Sequence, residues 1–130
     1  MNRTILLIGV VMGMLAIILG AFGAHGLEKL VDTEAVATFE TGVRYQIYHA
    51  LFLLFLGGWD GMEAKTKKTV FALVLSGVIL FSFSIYLLAL NSLTSFNFKV
   101  IGFLTPIGGV LLIAAWIYLG YHILTQKEVN

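Results

Sequence analysis

The stretch TILLIGVVMGMLAIILGAFGAHGL, residues 4–27, contains 24 residues and no formal charge when His25 is neutral. A transmembrane helix needs about 20 apolar residues to cross a hydrocarbon core of roughly 30 Å. The stretch is therefore long enough to cross a membrane once and too short to cross it twice. A cleaved signal peptide is disfavoured because its apolar region is usually about 7–15 residues long. A lone anchor for a soluble domain is disfavoured because the rest of the chain is just as apolar.

The composition of the whole chain also indicates a membrane protein. Of its 130 residues, 59% are hydrophobic and 12% are charged, whereas soluble domains usually have about 25% charged residues. A net charge of +1 provides no basic surface for nucleic acid, and the absence of cysteine excludes disulfides and thiolate chemistry. We expect a single domain, residues 1–130, surrounded by membrane lipid.

Three further runs without charged residues predict the remaining helices. The runs 69–98 and 100–126 contain 30 and 27 residues, and the run 45–59 contains only 15. Asp32 is nevertheless a good helix N-cap, and no proline follows it before Trp59, so the second helix is expected to begin outside the membrane. The fold is therefore predicted to be an all-α, integral membrane four-helix bundle. Its helices are expected at about 4–26, 34–58, 67–90 and 99–125.

The distribution of lysine and arginine predicts the orientation, because cytoplasmic loops carry an excess of these residues. With four crossings, the loop at 59–68 lies on the same side of the membrane as both termini. That side has five basic residues, namely Arg3, Lys65, Lys67, Lys68 and Lys127. The opposite side has three, namely Lys29, Arg44 and Lys99. Both termini are therefore predicted to be cytoplasmic.

Small residues recur along the first helix at spacings of 4, 3, 4 and 3. This is the period of a contact between two helices that wind left-handed about each other. Small side chains let two backbones approach closely, which favours van der Waals contact within a membrane. Glycines scattered at random would not show such regular spacing. We therefore predict a helix-packing seam formed by Gly9, Gly13, Ala16, Gly20 and Gly23.

Polar residues near the junction of the first two helices form the candidate site. Ionisable groups within a membrane are costly and indicate a functional site by default. Glu40 and Arg44 are one turn apart, with the acid first, which is the better order for an ion pair on a helix. His25 is expected at a depth similar to that of His49. The predicted cluster comprises His25, Glu40, Arg44, Tyr45, Gln46 and His49.

Three interpretations of this cluster remain open. We favour a structural lock, in which the groups satisfy one another and hold the first loop against the second helix. The second interpretation is a site for a small ligand, a lipid headgroup or a proton, formed by His25 and His49. The third, metal binding or catalysis, is less favoured because a histidine pair without a nearby carboxylate or cysteine is a poor metal site.

Sequence patterns typical of catalysis are absent. The chain has no Ser/His/Asp arrangement, no phosphate-binding glycine loop and no His-Glu-x-x-His signature. No catalytic, cofactor-binding or metal-binding residue is therefore predicted, and no cofactor is expected. Pro106, the single proline, is expected to kink the fourth helix because it cannot donate a hydrogen bond to the Gly102 carbonyl.

Four blocks of sequence, one in each predicted helix, resemble a known family. They are GAFGAHGL (20–27), YQIYHALFLL (45–54), FSFSIYLL (81–88) and TPIGG (105–109). The chain resembles the small bacterial inner-membrane family of YgdD type, a family of unknown function with a eukaryotic transmembrane relative. The resemblance implies a four-helix protein of the bacterial plasma membrane, with a role linked to membrane integrity and stress tolerance. It supplies no catalytic residues.

The expected function is that of a non-enzymatic membrane component. The chain would act as a self-associating bundle or as a small accessory subunit of a larger membrane complex. The alternative is a small transporter, a proton conduit or a protein that binds lipid or a small ligand through the polar cluster. A conduit needs polar residues at several depths, and the first and fourth helices have almost none at mid-membrane. A membrane enzyme is a more distant alternative.

Overall fold

The computed structural model describes residues 1–126, and within this range the fold is all-helical with no strand, which confirms the predicted class. A π-helical segment, Ile79–Phe83, joins two of the helices into one continuous helix over 64–89. Short 3₁₀ segments lie in the loops at Leu27–Lys29, Asn91–Leu93 and Phe98–Ile101. The α-helices are α1 (Arg3–His25), α2 (Thr33–Gly58), α3 (Ala64–Val78), α4 (Ser84–Ala89) and α5 (Leu104–Thr125).

Three helical segments are long and apolar enough to cross a membrane, judged by length and composition. They are Arg3–Lys29, Ala64–Ala89 and Phe98–Thr125, and only 22%, 44% and 17% of their most apolar windows are buried inside the protein. The rest of each apolar surface faces outward, as required of a helix in contact with lipid. The helix α2 is long but falls short of this standard, because polar side chains such as Gln46 and His49 interrupt its apolar residues.

The helices pack as two principal pairs, α1 with α2 and α3 with α5. Side-chain caps define where the first pair begins: Asn2 accepts a hydrogen bond from the Ile5 amide, and Asp32 accepts one from the Ala35 amide. The larger apolar core unites all four long helices. Its buried residues are Ile5, Met12, Ala50, Phe52, Leu53, Leu56, Val70, Val74, Val78, Leu112, Ala115 and Leu119.

The two chain ends of the described range meet the end of α2 and the loop at 59–63 that follows it. The Asn2 amide donates to the Gly57 carbonyl at 2.8 Å, and the Gln126 side chain donates to the Gly61 carbonyl at 2.7 Å. Lys67, one of the five basic residues on which the predicted orientation rests, is 4% exposed and points its Nζ at the Gly57 carbonyl, 3.4 Å away. Lys127, another of the five, lies outside the described residues.

The predicted kink at Pro106 is wrong in its premise. The regular helix α5 begins at Leu104, so Pro106 is its third residue and not an interior one. The first four amides of a helix have no partner within the helix, and proline is tolerated there. The helical irregularity lies instead in the π-helical segment Ile79–Phe83, which packs against α5.

Candidate functional site

Gln46 lies at the centre of a buried set of hydrogen bonds. Its side chain is 2% exposed and projects from the middle of α2. The Tyr86 hydroxyl donates to Gln46 Oε1 at 2.6 Å, and Gln46 Nε2 donates to the Met12 carbonyl at 2.9 Å. One side chain therefore connects α1, α2 and α4.

Gly42 makes room for this arrangement one turn before Gln46, on the same face of α2. A Cβ atom at Gly42 would lie 2.6 Å from Tyr86 Cε1, which is too close for two carbon atoms. The carbonyl of Gly42 also accepts a hydrogen bond from the Ser82 hydroxyl at 2.8 Å. The absence of a side chain at Gly42 thus lets the Tyr86 ring approach α2 closely and its hydroxyl reach the Gln46 amide oxygen.

His49 uses both ring nitrogens in hydrogen bonds. The Trp116 indole donates to Nε2 at 3.2 Å, and Nδ1 lies 2.7 Å from the Tyr45 carbonyl. Because an indole N–H can only donate, Nε2 must accept, and Nδ1 must carry the hydrogen that bonds to Tyr45. A proton added at Nε2 would point at the indole N–H. The neutral imidazole therefore fits this site, where it links α2 to α5.

The closest backbone approach among the described glycines lies beside the π-helical segment. A Cβ atom at Gly108 would lie 2.4 Å from the Phe81 nitrogen and 2.8 Å from the Gly77 carbonyl oxygen. The hydroxyls of Ser84 and Thr105 lie 2.6 Å apart at the same crossing. This contact between α3 and α5 was not predicted from the sequence. Its only signal was the presence of glycine on both helices.

Four of the five predicted seam residues lie against α2, and the fifth, Ala16, is 1% exposed. The pairing is antiparallel, because residue numbers rise along α1 as they fall along α2. A Cβ added at Gly9 would lie 3.1 Å from the Ala50 oxygen, and one added at Gly13 would lie 3.8 Å from Ala50 Cβ. A Cβ added at Gly20 would lie 3.4 Å from Val43 Cγ1, and one added at Gly23 would lie 3.0 Å from Phe39 Cδ1. Gly13 thus makes ordinary contact, and Gly9 and Gly23 make tight ones.

His25 is not part of the polar cluster, contrary to expectation. Its side chain is exposed and forms no hydrogen bond to another of residues 1–126. The antiparallel pairing places Ala50, the neighbour of His49, opposite Gly13, which is 12 residues from His25. At 1.5 Å per residue the two histidines are separated by roughly 18 Å along the bundle. His49 therefore lies near the middle of the bundle and not at its mouth.

The expected ion pair between Glu40 and Arg44 does not form. Within the described range the single ion pair joins the Met1 ammonium to Asp60, where it lowers the pKa of that carboxyl. Arg44 instead donates to the Thr41 hydroxyl at 3.1 Å, because its side chain turns back along the helix. The Tyr45 ring packs against Phe81, with 5.0 Å between ring centroids.

The polar groups of the described residues leave little unused capacity at the centre of the bundle. Every buried side-chain nitrogen or oxygen in residues 1–126 has a hydrogen-bond partner. No group of three or more histidine, aspartate or glutamate side chains in that range could hold a metal ion. A groove of about 290 Å³ lies on the surface beside His49. It is lined by Tyr45, His49, Phe81, Gly109, Leu112, Ile113 and Trp116.

Comparison with known proteins gives the family of this chain. Residues 19–109 match the family described as "Protein of unknown function (DUF423)". The UPF0382 membrane protein SSP2132 of Staphylococcus saprophyticus is 38% identical over 117 residues, which cover 90% of this chain and 93% of the relative. The UPF0382 membrane protein YwdK of Bacillus subtilis is 37% identical, with 88% and 91% covered. A UPF0382 membrane protein of Haemophilus influenzae is 33% identical, with 90% of each chain covered. No solved structure matches. The chain therefore belongs to the DUF423 family, and its relatives are membrane proteins.

Proposed function

We propose that the protein is a non-enzymatic structural or accessory component of the bacterial plasma membrane. The observation that carries this proposal is the hydrogen-bonded centre, in which side chains join α2 to α1 through Gln46, to α4 through Tyr86 and to α5 through His49. Interhelical hydrogen bonds of this kind hold helices together where the surrounding solvent is lipid. Every buried side-chain nitrogen or oxygen in residues 1–126 already has a partner within the protein, which favours a structural role over proton transfer or substrate binding.

The proposed bundle crosses the membrane four times. The 26 residues of α2 extend about 39 Å, which exceeds the hydrocarbon thickness. Its polar residues Gln46 and His49 are directed inward, where other helices provide their partners. A helix that is not apolar enough to enter lipid alone can therefore cross within the bundle. The length of α2 and the inward direction of its polar residues support α2 as the fourth crossing.

The proposed orientation places both termini in the cytoplasm, supported by the excess of basic residues at the end that carries the 59–63 loop. The chain has no cysteine, so single cysteines can be labelled without background. Glu63 and Ser95 are exposed positions in loops at opposite ends of the helix over 64–89. In intact cells, a membrane-impermeant maleimide should label Ser95→Cys and not Glu63→Cys. Labelling of Glu63→Cys alone would reverse the orientation, and labelling of both would contradict the four crossings.

The proposed partners are a second copy of the chain or the subunits of a larger membrane complex. The broad outward apolar faces of α1 and α5 support an interaction within the bilayer. Purification in a mild detergent followed by native mass spectrometry tests this proposal. A homo-oligomer, or a second protein at fixed stoichiometry, would support it. A monomer that carries only lipid would contradict it.

A second candidate function is the binding of a lipid-soluble small molecule in the groove beside His49. The observation in its favour is that the groove combines aromatic walls with the edge of the imidazole. The two functions differ in what His49→Gln should do. A structural role predicts lower stability with tolerance of membrane stress reduced in proportion, whereas a ligand site predicts loss of that tolerance at nearly unchanged stability.

A further inference from the structure

Arg44 occupies an unusual position on the outer surface of α2. Its neighbour Val43 packs against Gly20, which lies five residues before the end of α1 at His25. At 1.5 Å per residue, Arg44 begins about 8 Å below that end of the bundle. Its guanidinium turns toward Thr41, about 4.5 Å nearer the end. A long basic side chain that extends in this way brings its charge to the level of the membrane interface.

The charge of Arg44 has no acidic partner among residues 1–126. Glu40 is one turn away, but the single ion pair in that range is the one between Met1 and Asp60. The side chain of Arg44 is exposed, and the Thr41 hydroxyl accepts one of its five N–H groups. A guanidinium at the edge of hydrocarbon is best compensated by a planar pair of anionic oxygens, as in a phosphate group.

An apolar groove begins directly beneath Arg44 on the same side of α2. Tyr48 lies one turn further along the helix, and Phe55 lies 11 residues from Arg44, so the groove extends between about 6 and 17 Å deeper into the bundle. Its volume is about 280 Å³. The lining residues are Tyr48, Leu51, Phe52, Phe55, Trp116 and Leu119.

We propose that Arg44 and this groove form a binding site for one membrane phospholipid. The lipid phosphate pairs with the Arg44 guanidinium, and an acyl chain lies in the groove between α2 and α5. The order of the two features matches the order of a lipid, with the charge at the interface and the apolar surface below it. This inference rests on the proposed four-crossing arrangement, because only a membrane-embedded α2 gives the site this depth.

The test measures lipid retention by native mass spectrometry on the full chain in detergent. Delipidated protein is titrated with dioleoylphosphatidylglycerol and compared with Arg44→Gln, and Lys29→Gln serves as a control that removes one exposed positive charge at the same end. Wild type and the control should retain one lipid with equal affinity. Arg44→Gln should bind about tenfold more weakly, because it loses a charge-assisted contact. Equal binding by all three proteins would overturn the proposal.

The groove is tested separately from the charge. Leu51→Trp places a bulky aromatic ring in the groove and should weaken retention, whereas Ile17→Trp, on an exposed part of α1 away from the groove, should not. Dioleoylglycerol, which lacks the phosphate, should bind weakly, and inorganic phosphate should not displace the phospholipid. Strong binding of dioleoylglycerol, or displacement of the phospholipid by inorganic phosphate, would overturn the proposal. Cysteine labelling at Glu63 and Ser95 tests the four crossings independently, so a failed lipid site and a failed topology are distinguishable.

Discussion

His49 illustrates how a titratable side chain can serve the packing of a membrane bundle. Both of its nitrogens are engaged, one by the Tyr45 carbonyl in its own helix and the other by the Trp116 indole on α5. The ring of Phe52 also packs on Trp116, with centroids 4.5 Å apart. His25, by contrast, has an exposed side chain at the end of α1. The two histidines therefore differ in their surroundings, although both were assigned to one cluster from the sequence.

This difference predicts unequal effects of substitution. His49→Leu should lower the free energy of unfolding by about 1–3 kcal/mol, because the Trp116 N–H loses its acceptor at a depth without water. His25→Ala should change it by less than about 0.5 kcal/mol, as is usual for exposed sites. Reversible unfolding in mixed detergent micelles measures both. If His25→Ala lowered the free energy of unfolding as much as His49→Leu, His25 would have to be part of a structural lock after all.

At the scale of the elements, the crossing of α3 and α5 depends on two glycines. Gly77 and Gly108 bring the two backbones together beside the π-helical segment, where a Cβ added at Gly108 would collide with the Phe81 nitrogen. π-Helical turns are rare and occur frequently at functional sites. Pro106, two residues before Gly108, lies in the first turn of α5 and leaves this contact undisturbed.

Alanine substitutions along α5 test this crossing. Gly108→Ala should lower the free energy of unfolding by about 1–3 kcal/mol, because the new methyl group meets backbone that cannot move aside. Gly120→Ala is the matched control, since nothing lies within 4 Å of its added Cβ. That change should be neutral or stabilising by up to about 1 kcal/mol, because alanine favours helix. Equal losses at the two positions would show that the crossing is not as close as described.

The ends of the first two helices could be predicted from the sequence because charges and caps mark them, whereas the fourth helix was expected to begin at 99 and its regular part begins at Leu104. The first helix was expected at 4–26 and is found at Arg3–His25, and the second was expected at 34–58 and is found at Thr33–Gly58. The Asp32 side chain caps the second helix as its residue type suggested. Long apolar runs and capping residues are local signals, and no tertiary contact is needed to interpret them.

The partners of the polar residues could not be predicted in the same way. Which group meets Gln46 depends on the rotation of α2 and on the register of α1 and α4, and single-helix periodicity fixes neither. The burial of Lys67 and the π-helical segment likewise depend on contacts between helices. The expected proximity of His25 and His49 failed because neighbours in an antiparallel pair lie at similar distances from the connecting loop, whereas His25 ends α1 and His49 lies 16 residues into α2.

At the scale of the whole molecule, the long helix that is not apolar enough to count as a membrane span by itself is the one that all the others contact. The helix α2 supplies Gln46 to α1 and α4, the Gly42 carbonyl to Ser82, and His49 to α5. Its polarity would be costly for an isolated helix in lipid and becomes an advantage once partners surround it. We infer that α2 holds the bundle together and that its polar residues act primarily in this way.

The coupling between Gln46 and Tyr86 tests this account most directly. Gln46→Leu, Tyr86→Phe and the double variant are compared with wild type by reversible unfolding in mixed micelles. If the two side chains act as one interhelical bond, the double variant should lose less stability than the two single variants lose when their losses are added. The expected coupling is about 0.5–2 kcal/mol, the range for hydrogen-bonded neighbours within membrane bundles. Strictly additive losses would contradict the account, because Gln46 and Tyr86 would then not stabilise the bundle through each other.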